Sequence, residues 1–167
     1  QADNLIVNGS FEQPTPAVNF YDLYNAGNTA LTGWTVAGGQ IQNTSGSFNV
    51  GAGPLMASAG LAWLDLTGIT GYDKGMQSQA IAVTVGATYL IAFDLGNYLP
   101  FGKSSIGLSI NGGPEQLFTN HSLVASAPGS SMSWATQSVS WVADSSSLQL
   151  QLMGRANGPL SNNLGIG

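Results

Sequence analysis

Few side chains in this sequence can do covalent or acid–base chemistry. Its 167 residues hold one His, no Cys, three Lys or Arg and eight Asp or Glu. The absence of Cys removes thiol nucleophiles, disulfides and thiolate metal sites together. His121 stands in the polar run Thr119-Asn120-His121-Ser122, where one of 19 serines would have to meet it to make a nucleophile. No Gly-x-Ser-x-Gly elbow accompanies it, so that pairing is set aside. Asp65 and Asp94 fall on two alternating segments and would supply the acid and nucleophile of a glycoside hydrolase if their carboxyl groups came close enough. Each is more simply a turn cap, beside Thr67-Gly68 and Gly96-Asn97. Asp73-Lys74, between Gly71 and Gly75, reads as a solvated loop tip.

Sugar recognition needs a different set of groups: aromatic faces against the C–H patches of a ring, with amides and carboxylates around its hydroxyls. Two segments have both, Phe20-Tyr21-Asp22-Leu23-Tyr24-Asn25 and Asn97-Tyr98-Leu99-Pro100-Phe101-Gly102. Both read as loops, and Tyr21, Tyr24, Asn97, Tyr98 and Phe101 are the candidate ligand contacts. Loop aromatics also cover the ends of sandwiches without binding anything. Aromatics inside strand-like runs are assigned to the core: Trp63, Tyr89, Phe93, Phe118 and Trp141, with Trp34 beside them.

The elements that must position these groups follow from a period of two. In Leu148-Gln149-Leu150-Gln151-Leu152 three Leu share one face and two Gln the other, as in a half-buried strand. Similar runs are Asn4–Asn8, Gly33–Val36, Leu61–Leu66, Gln79–Val85, Thr88–Leu95, Ser105–Ile110, Glu115–Phe118 and Gln137–Val142. Turn formers separate them, and Asn111-Gly112 between Ile110 and Leu117 predicts a hairpin. No capped apolar stripe has helical spacing, and 23 Gly with 7 Pro oppose long helices. The expected fold is all-β: a single two-sheet antiparallel β-sandwich of the jelly-roll type over residues 1–167.

Composition narrows the partners. Only 7% of residues are charged and the net charge is −5, while 19 Ser, 11 Thr, 13 Asn and 10 Gln make a surface solvated by hydrogen bonds. Three cations form no stripe that neutralises phosphates, which sets aside nucleic acids and anionic membranes. No apolar run approaches the ~18 residues of a spanning helix. The chain starts at Gln1 without Met, which reads as a processed, exported product. Its abrupt end after Gly158-Pro159 suggests that something continues beyond Gly167.

Asn4-Leu5-Ile6-Val7-Asn8-Gly9-Ser10-Phe11-Glu12-Gln13-Pro14, followed by Gly33-Trp34-Thr35-Val36, resembles the opening of the choice-of-anchor C family of exported bacterial proteins. The resemblance continues through Leu64-Asp65-Leu66-Thr67-Gly68, Gly75 with Gln79, Gly86-Ala87-Thr88-Tyr89 and Phe93-Asp94-Leu95-Gly96-Asn97. It then touches Trp134 and ends near Gly158-Pro159. The same opening is similar to a related family of secreted plant cell-wall proteins and, more distantly, to carbohydrate-binding modules with a galactose-binding-like jelly roll. A fold is implied more firmly than a function. The resemblance also implies a structural Ca²⁺ held by the acid of a Phe-Glu pair, here Phe11-Glu12, and an Asp near the C-terminus that has no counterpart in this chain. Glu12 is therefore the expected metal ligand; alternatively it accepts backbone amides of a neighbouring loop. The family's Asp-rich last strand is also missing, so the sandwich is expected to lack its closing strand.

Together these observations favour a secreted, non-catalytic module of the cell surface or extracellular matrix that binds polysaccharide, with Ca²⁺ as a structural ion. The alternative is a filament subunit. A sheet without its closing strand leaves an unpaired edge, which the segment Asn4, Leu5, Ile6, Val7 and Asn8 of a neighbouring copy would extend by β-strand addition. A hydrolase built on Asp65 and Asp94 is the third and weakest reading.

Overall fold

The computed structural model describes residues 3–67, 71, 73–155 and, for the backbone alone, 164–166. The described residues form thirteen strands: β1 Tyr21–Asn25, β2 Trp34–Ala37, β3 Gln40–Ser45, β4 Ala62–Asp65, β5 Gly75–Ser78, β6 Ile81–Ala82, β7 Thr88–Tyr98, β8 Ser104–Ile110, β9 Gln116–Asn120, β10 Met132–Val142, β11 Ser147–Leu148, β12 Leu150–Arg155 and β13 Leu164–Ile166. A six-stranded sheet runs β1-β3-β4-β13-β7-β10 and a five-stranded sheet β2-β5-β12-β8-β9, with β6 and β11 as a short ribbon. Every pairing is antiparallel. The single helical element among the described residues is a 3₁₀ turn, Leu99–Phe101. The all-β sandwich is as expected. No helix among the described residues is long and apolar enough to cross a membrane.

Alternation places the main core between the sheets. Tyr24, Ile41, Leu64, Ile91 and Leu95 come from the six-stranded sheet and meet Trp34, Val36, Met76, Ile106, Leu108, Leu150 and Leu152 of the other. Of the predicted core aromatics, Trp34 and Trp63 are buried, while Phe93, Phe118 and Trp141 are partly buried against this cluster. Tyr89 packs its ring at 6.3 Å from that of Trp141. The hairpin forms as predicted: β8 pairs with β9 and Gly113 N–H donates to Ile110 C=O at 2.9 Å. Asn111 at φ 50° and Gly112 at φ 70° form a left-handed pair that reverses the chain at the start of the 111–115 connection.

Four local expectations are corrected. Asn4–Asn8 is no strand. Asn8 sits at φ 52° and its side chain closes a loop, donating to Gln13 C=O at 2.9 Å and Thr32 C=O at 3.1 Å while accepting Gln13 N–H at 3.0 Å. Phe11, at φ 59°, is thereby turned into the core against Trp34, whose Nε1 donates to the Val7 and Asn8 carbonyls. A segment bound this way within its own domain is not a strand ready to add to a neighbour, and the expected open edge is filled, since β13 pairs with both β4 and β7. Secondly, Phe20–Asn25 is not a loop, because Tyr21–Asn25 pairs along its whole length with β3. Thirdly, the Leu148–Leu152 run keeps its three Leu in the core as expected but is not one continuous strand, since at Gln149 the register with β5 and β6 advances by one residue and Ser78 Oγ takes the Leu150 N–H at 2.9 Å. Fourthly, Lys74 is buried, not a loop tip, and its Nζ donates to Thr67 C=O at 3.0 Å. Burial pushes its ammonium pKa down, partly offset by nearby Asp65.

Candidate functional site

The face of the six-stranded sheet turned away from the main core carries the most developed polar site. Strand register defines its layout. Tyr98 pairs with Met132, Gly96 with Trp134 and Asp94 with Thr136, so these six residues form three steps of one face on β7 and β10. The segment between β3 and β4 folds over the upper steps and makes a second small core of Leu55, Trp63, Tyr98 and Met132, with Phe48, Ala57 and Trp134 packed on it. Polar ties hold that cover down. Trp63 Nε1 donates to Leu55 C=O at 2.8 Å, Trp134 Nε1 to Met56 C=O at 2.9 Å, and Ser131 Oγ to Gly53 C=O at 3.1 Å.

Where the cover ends, a pocket of about 250 Å³ opens, lined by Met56, Ala57, Ser58, Asp94, Ser126, Ala127, Ser130, Trp134 and Thr136. Asp94 is half-buried in it. One carboxylate oxygen accepts the Ser58 hydroxyl at 2.8 Å and the other the Thr136 hydroxyl at 2.7 Å. The carboxylate is thus aimed by donors from both sides, and each oxygen keeps acceptor capacity for a further donor. Beside it lies the Trp134 indole, edge-on to Trp63 with ring centroids 6.0 Å apart. Gly96 makes this placement possible, because a Cβ there would lie 2.7 and 2.8 Å from two atoms of the Trp134 ring. The far wall is drawn in by Ser126, whose Oγ accepts the Trp134 N–H at 2.7 Å. An aromatic ring, a positioned acceptor and several hydroxyls around one small concavity can seat a polyol.

A larger hollow of about 940 Å³ lies between the sheets beneath Asp3–Ile6, walled by Phe11, Ile81, Ile91, Leu148, Leu150 and Leu152 among others. Its walls continue the apolar core and offer a sugar few partners.

The predicted ligand contacts fare unevenly. Tyr24 belongs to the main core and is 8% exposed, and its hydroxyl pKa is pushed up by burial and then by Asp22. Tyr98 is 6% exposed, covered by Leu55 and Met132 and by Phe101, edge-on at 5.1 Å. Asn97 is fully buried; it donates to the Ser122 and Gly102 carbonyls and accepts the Ser104 hydroxyl. All three lie in paired strands and not in loops, and all three are buried away from a ligand's reach. Phe101 remains partly open at 37%. Tyr21 lies on the outer face at the opposite edge of the sheet, parallel to exposed Phe20 at 5.1 Å and edge-on to Phe48. The structure therefore does not bring the five together.

Glu12, the expected metal ligand, accepts the backbone N–H groups of Leu61 at 2.6 Å and Ala62 at 2.9 Å through one carboxylate oxygen. No group of three or more His, Asp or Glu capable of holding a metal occurs among the described residues. Ca²⁺ takes six to eight oxygens, and the two amides that Glu12 accepts here are the contacts of the alternative reading, in which it binds backbone N–H groups. Asp65 and Asp94 share the outer face but stand two strands apart, with β13 between β4 and β7. That spacing and a two-residue offset put their Cα atoms about 12 Å apart. Asp65 is also engaged, accepting the N–H and hydroxyl of Thr67 as the simple capping assignment predicts. His121 is exposed and outside the pocket.

Sequence reasoning missed Trp134, Ser58 and Thr136. The signal for two of them was the continuation of the 137–142 alternation back through Trp134-Ala135-Thr136, which puts both on the face opposite Val139 and Trp141. Nothing local pointed to Ser58, which reaches Asp94 from 36 residues away.

No curated protein matches this chain. Among solved structures it is similar in fold to an isomalto-dextranase of Arthrobacter globiformis complexed with panose, at 16% identity and a TM-score of 0.51 over 91% of this chain. The chain spans 23% of the length of that enzyme. A family 35 carbohydrate-binding module from Clostridium thermocellum aligns at 16% identity and a TM-score of 0.48, covering 87% of this chain and 96% of the module. A xylan-binding domain of family 22 aligns at 13% and 0.49, covering 92% of each chain. The family described as a protein of unknown function, DUF642, matches residues 4–164, and the chain belongs to that family.

Proposed function

We propose that this chain is a secreted, non-catalytic module that binds polysaccharide, and that a sugar unit seats in the pocket between Trp134 and Asp94. One juxtaposition carries the assignment: an indole beside a carboxylate that two hydroxyls hold in place, in a concavity of about 250 Å³. The ring supplies an apolar face for C–H groups and the carboxylate accepts sugar hydroxyls. Binding is favoured over hydrolysis because Asp94 is the single titratable group among the described residues lining the pocket, whereas glycoside hydrolysis needs a carboxylate pair. A surface solvated by uncharged polar groups, and the resemblance of the Asn4–Pro14 motif to exported proteins, support action outside the cell.

Affinity electrophoresis through gels containing individual neutral polysaccharides tests this. The native protein is expected to be retarded by at least one polymer. Trp134→Ala should weaken retention roughly tenfold, about 1.4 kcal/mol, and Asp94→Ala at least as much. Tyr21→Ala, at the far edge of the same face, serves as the comparison and should bind as the native protein does. Thr136→Val, which keeps the side-chain volume and removes one hydroxyl, guards against misfolding of the Trp134 variant. Unchanged retention in folded Asp94→Ala and Thr136→Val proteins overturns the assignment.

A further inference from the structure

We infer that the Asp94 pocket selects sugars without a carboxylate, engaging two adjacent hydroxyls of a neutral residue, and that Asp94 is the residue that rejects uronic acids. The inference rests on the proposed glycan seat and adds its substrate class. Asp94 meets Ser58 on one oxygen and Thr136 on the other, so the carboxylate is fixed with both oxygens presented as acceptors. A pair of neighbouring sugar hydroxyls can donate to both oxygens at once, whereas a uronate carboxylate has no proton to donate and brings a second negative charge.

No cation offsets that charge. The chain has three in all, and none lines the pocket. Arg155 is clamped by Glu115 through three contacts of 2.5–3.1 Å and by Asp73 at 2.6 Å. Lys74 is buried against Thr67 C=O, and Lys103 follows the 3₁₀ turn beyond Phe101. The hydroxyls of Ser126 and Ser130 accept the N–H groups of Trp134 and Met132 and turn their own protons to the carbonyls of Trp134 and Pro54. A carboxylate entering here would meet a like charge in a partly desolvated pocket with no counter-ion, an arrangement that excludes a ligand more strongly than a missing contact would.

The test compares the neutral polysaccharide that retards the native protein most with the same polymer after oxidation of its C6 hydroxymethyl groups to carboxylates, each in affinity gels at low and at 0.5 M salt. Retention is expected to fall at least tenfold on oxidation, and the deficit should shrink in high salt as the repulsion is screened. Asp94→Asn keeps the shape and one acceptor and removes the charge, so it should bind the two polymers within about threefold of each other. Equal retention of both polymers by the native protein, or a preference for the oxidised form, overturns the inference and leaves polysaccharide binding standing. So does an Asp94→Asn protein that still discriminates tenfold. Retention by neither polymer overturns the glycan seat itself and this inference with it.

Discussion

Glu12 is the residue on which a metal-dependent and a metal-free account of the fold diverge most sharply. Its carboxylate ties the chain after the buried Phe11 to the entrance of β4, receiving the amides of residues 49 and 50 positions away. The Leu61 amide is at an exposed position and its bond contributes about 0.5 kcal/mol; Ala62 is fully buried, and orphaning its N–H costs about 1–3 kcal/mol. Glu12→Ala should therefore destabilise by roughly 1.5–3.5 kcal/mol. At roughly 2–4 °C per kcal/mol for a chain of this size, the Tm falls by roughly 3–14 °C. Glu12→Gln keeps a neutral acceptor and should lose about a third to a half of that. Scanning calorimetry on the native and variant proteins, each with 1 mM Ca²⁺ and with chelator, checks both numbers. The expected result is a variant deficit that is the same in the two buffers. A native Tm that drops on chelation by as much as Glu12→Gln costs, together with a Glu12→Gln protein indifferent to Ca²⁺, would refute the reasoning and restore a metal at this carboxylate.

Further outcomes follow from other contacts. Asn8→Ala loses three side-chain bonds and keeps the β-carbon at φ 52°, whereas Asn8→Gly loses the bonds but removes that β-carbon; urea unfolding should find Ala less stable than Gly by about 1 kcal/mol. Gly96→Ala forces the Trp134 ring aside, and is expected to red-shift tryptophan emission and weaken glycan retention with no loss of strand content by circular dichroism. Glu115 is held below its ordinary value of 4.5 by the hydrogen bond from Arg155. A depressed carboxylate stabilises the fold above the unfolded value and loses that contribution as pH falls through the folded one. Glu115→Gln should thus lower the Tm at pH 7 and narrow the gap to the native protein below pH 4.5, as measured by thermal melts across pH 2–7.

Much of the fold was legible in the chain because its signals are local. Alternation at 88–95 and 105–110 and the Asn111-Gly112 turn depend on residues that touch their near neighbours, and all three stand as read. In the opening motif, in contrast, the alternation over Asn4–Asn8 points to a strand, and the chain there begins a folded clasp. Asn8 closes it, Phe11 anchors it in the core and Glu12 fastens it to β4. Tyr24 and Tyr98 were misplaced for a related reason. Aromatic and Asn-rich runs look alike whether they end in solvent or under a cover, and the cover over Tyr98 comes from the segment between β3 and β4.

By itself, then, the sequence determined the strand-forming segments, the hairpin, the weakly charged surface and the poverty of catalytic groups, all of which are properties of composition or of neighbours a few residues apart. The site was decided by tertiary structure. Asp94 becomes a poised acceptor only because Ser58, 36 residues before it, and Thr136, 42 residues after it, converge on its two oxygens. Trp134 becomes a pocket wall only because register sets it opposite Gly96. Strand order and register are settled by burial across the whole sandwich, and no local pattern encodes which distant residue will stand beside another.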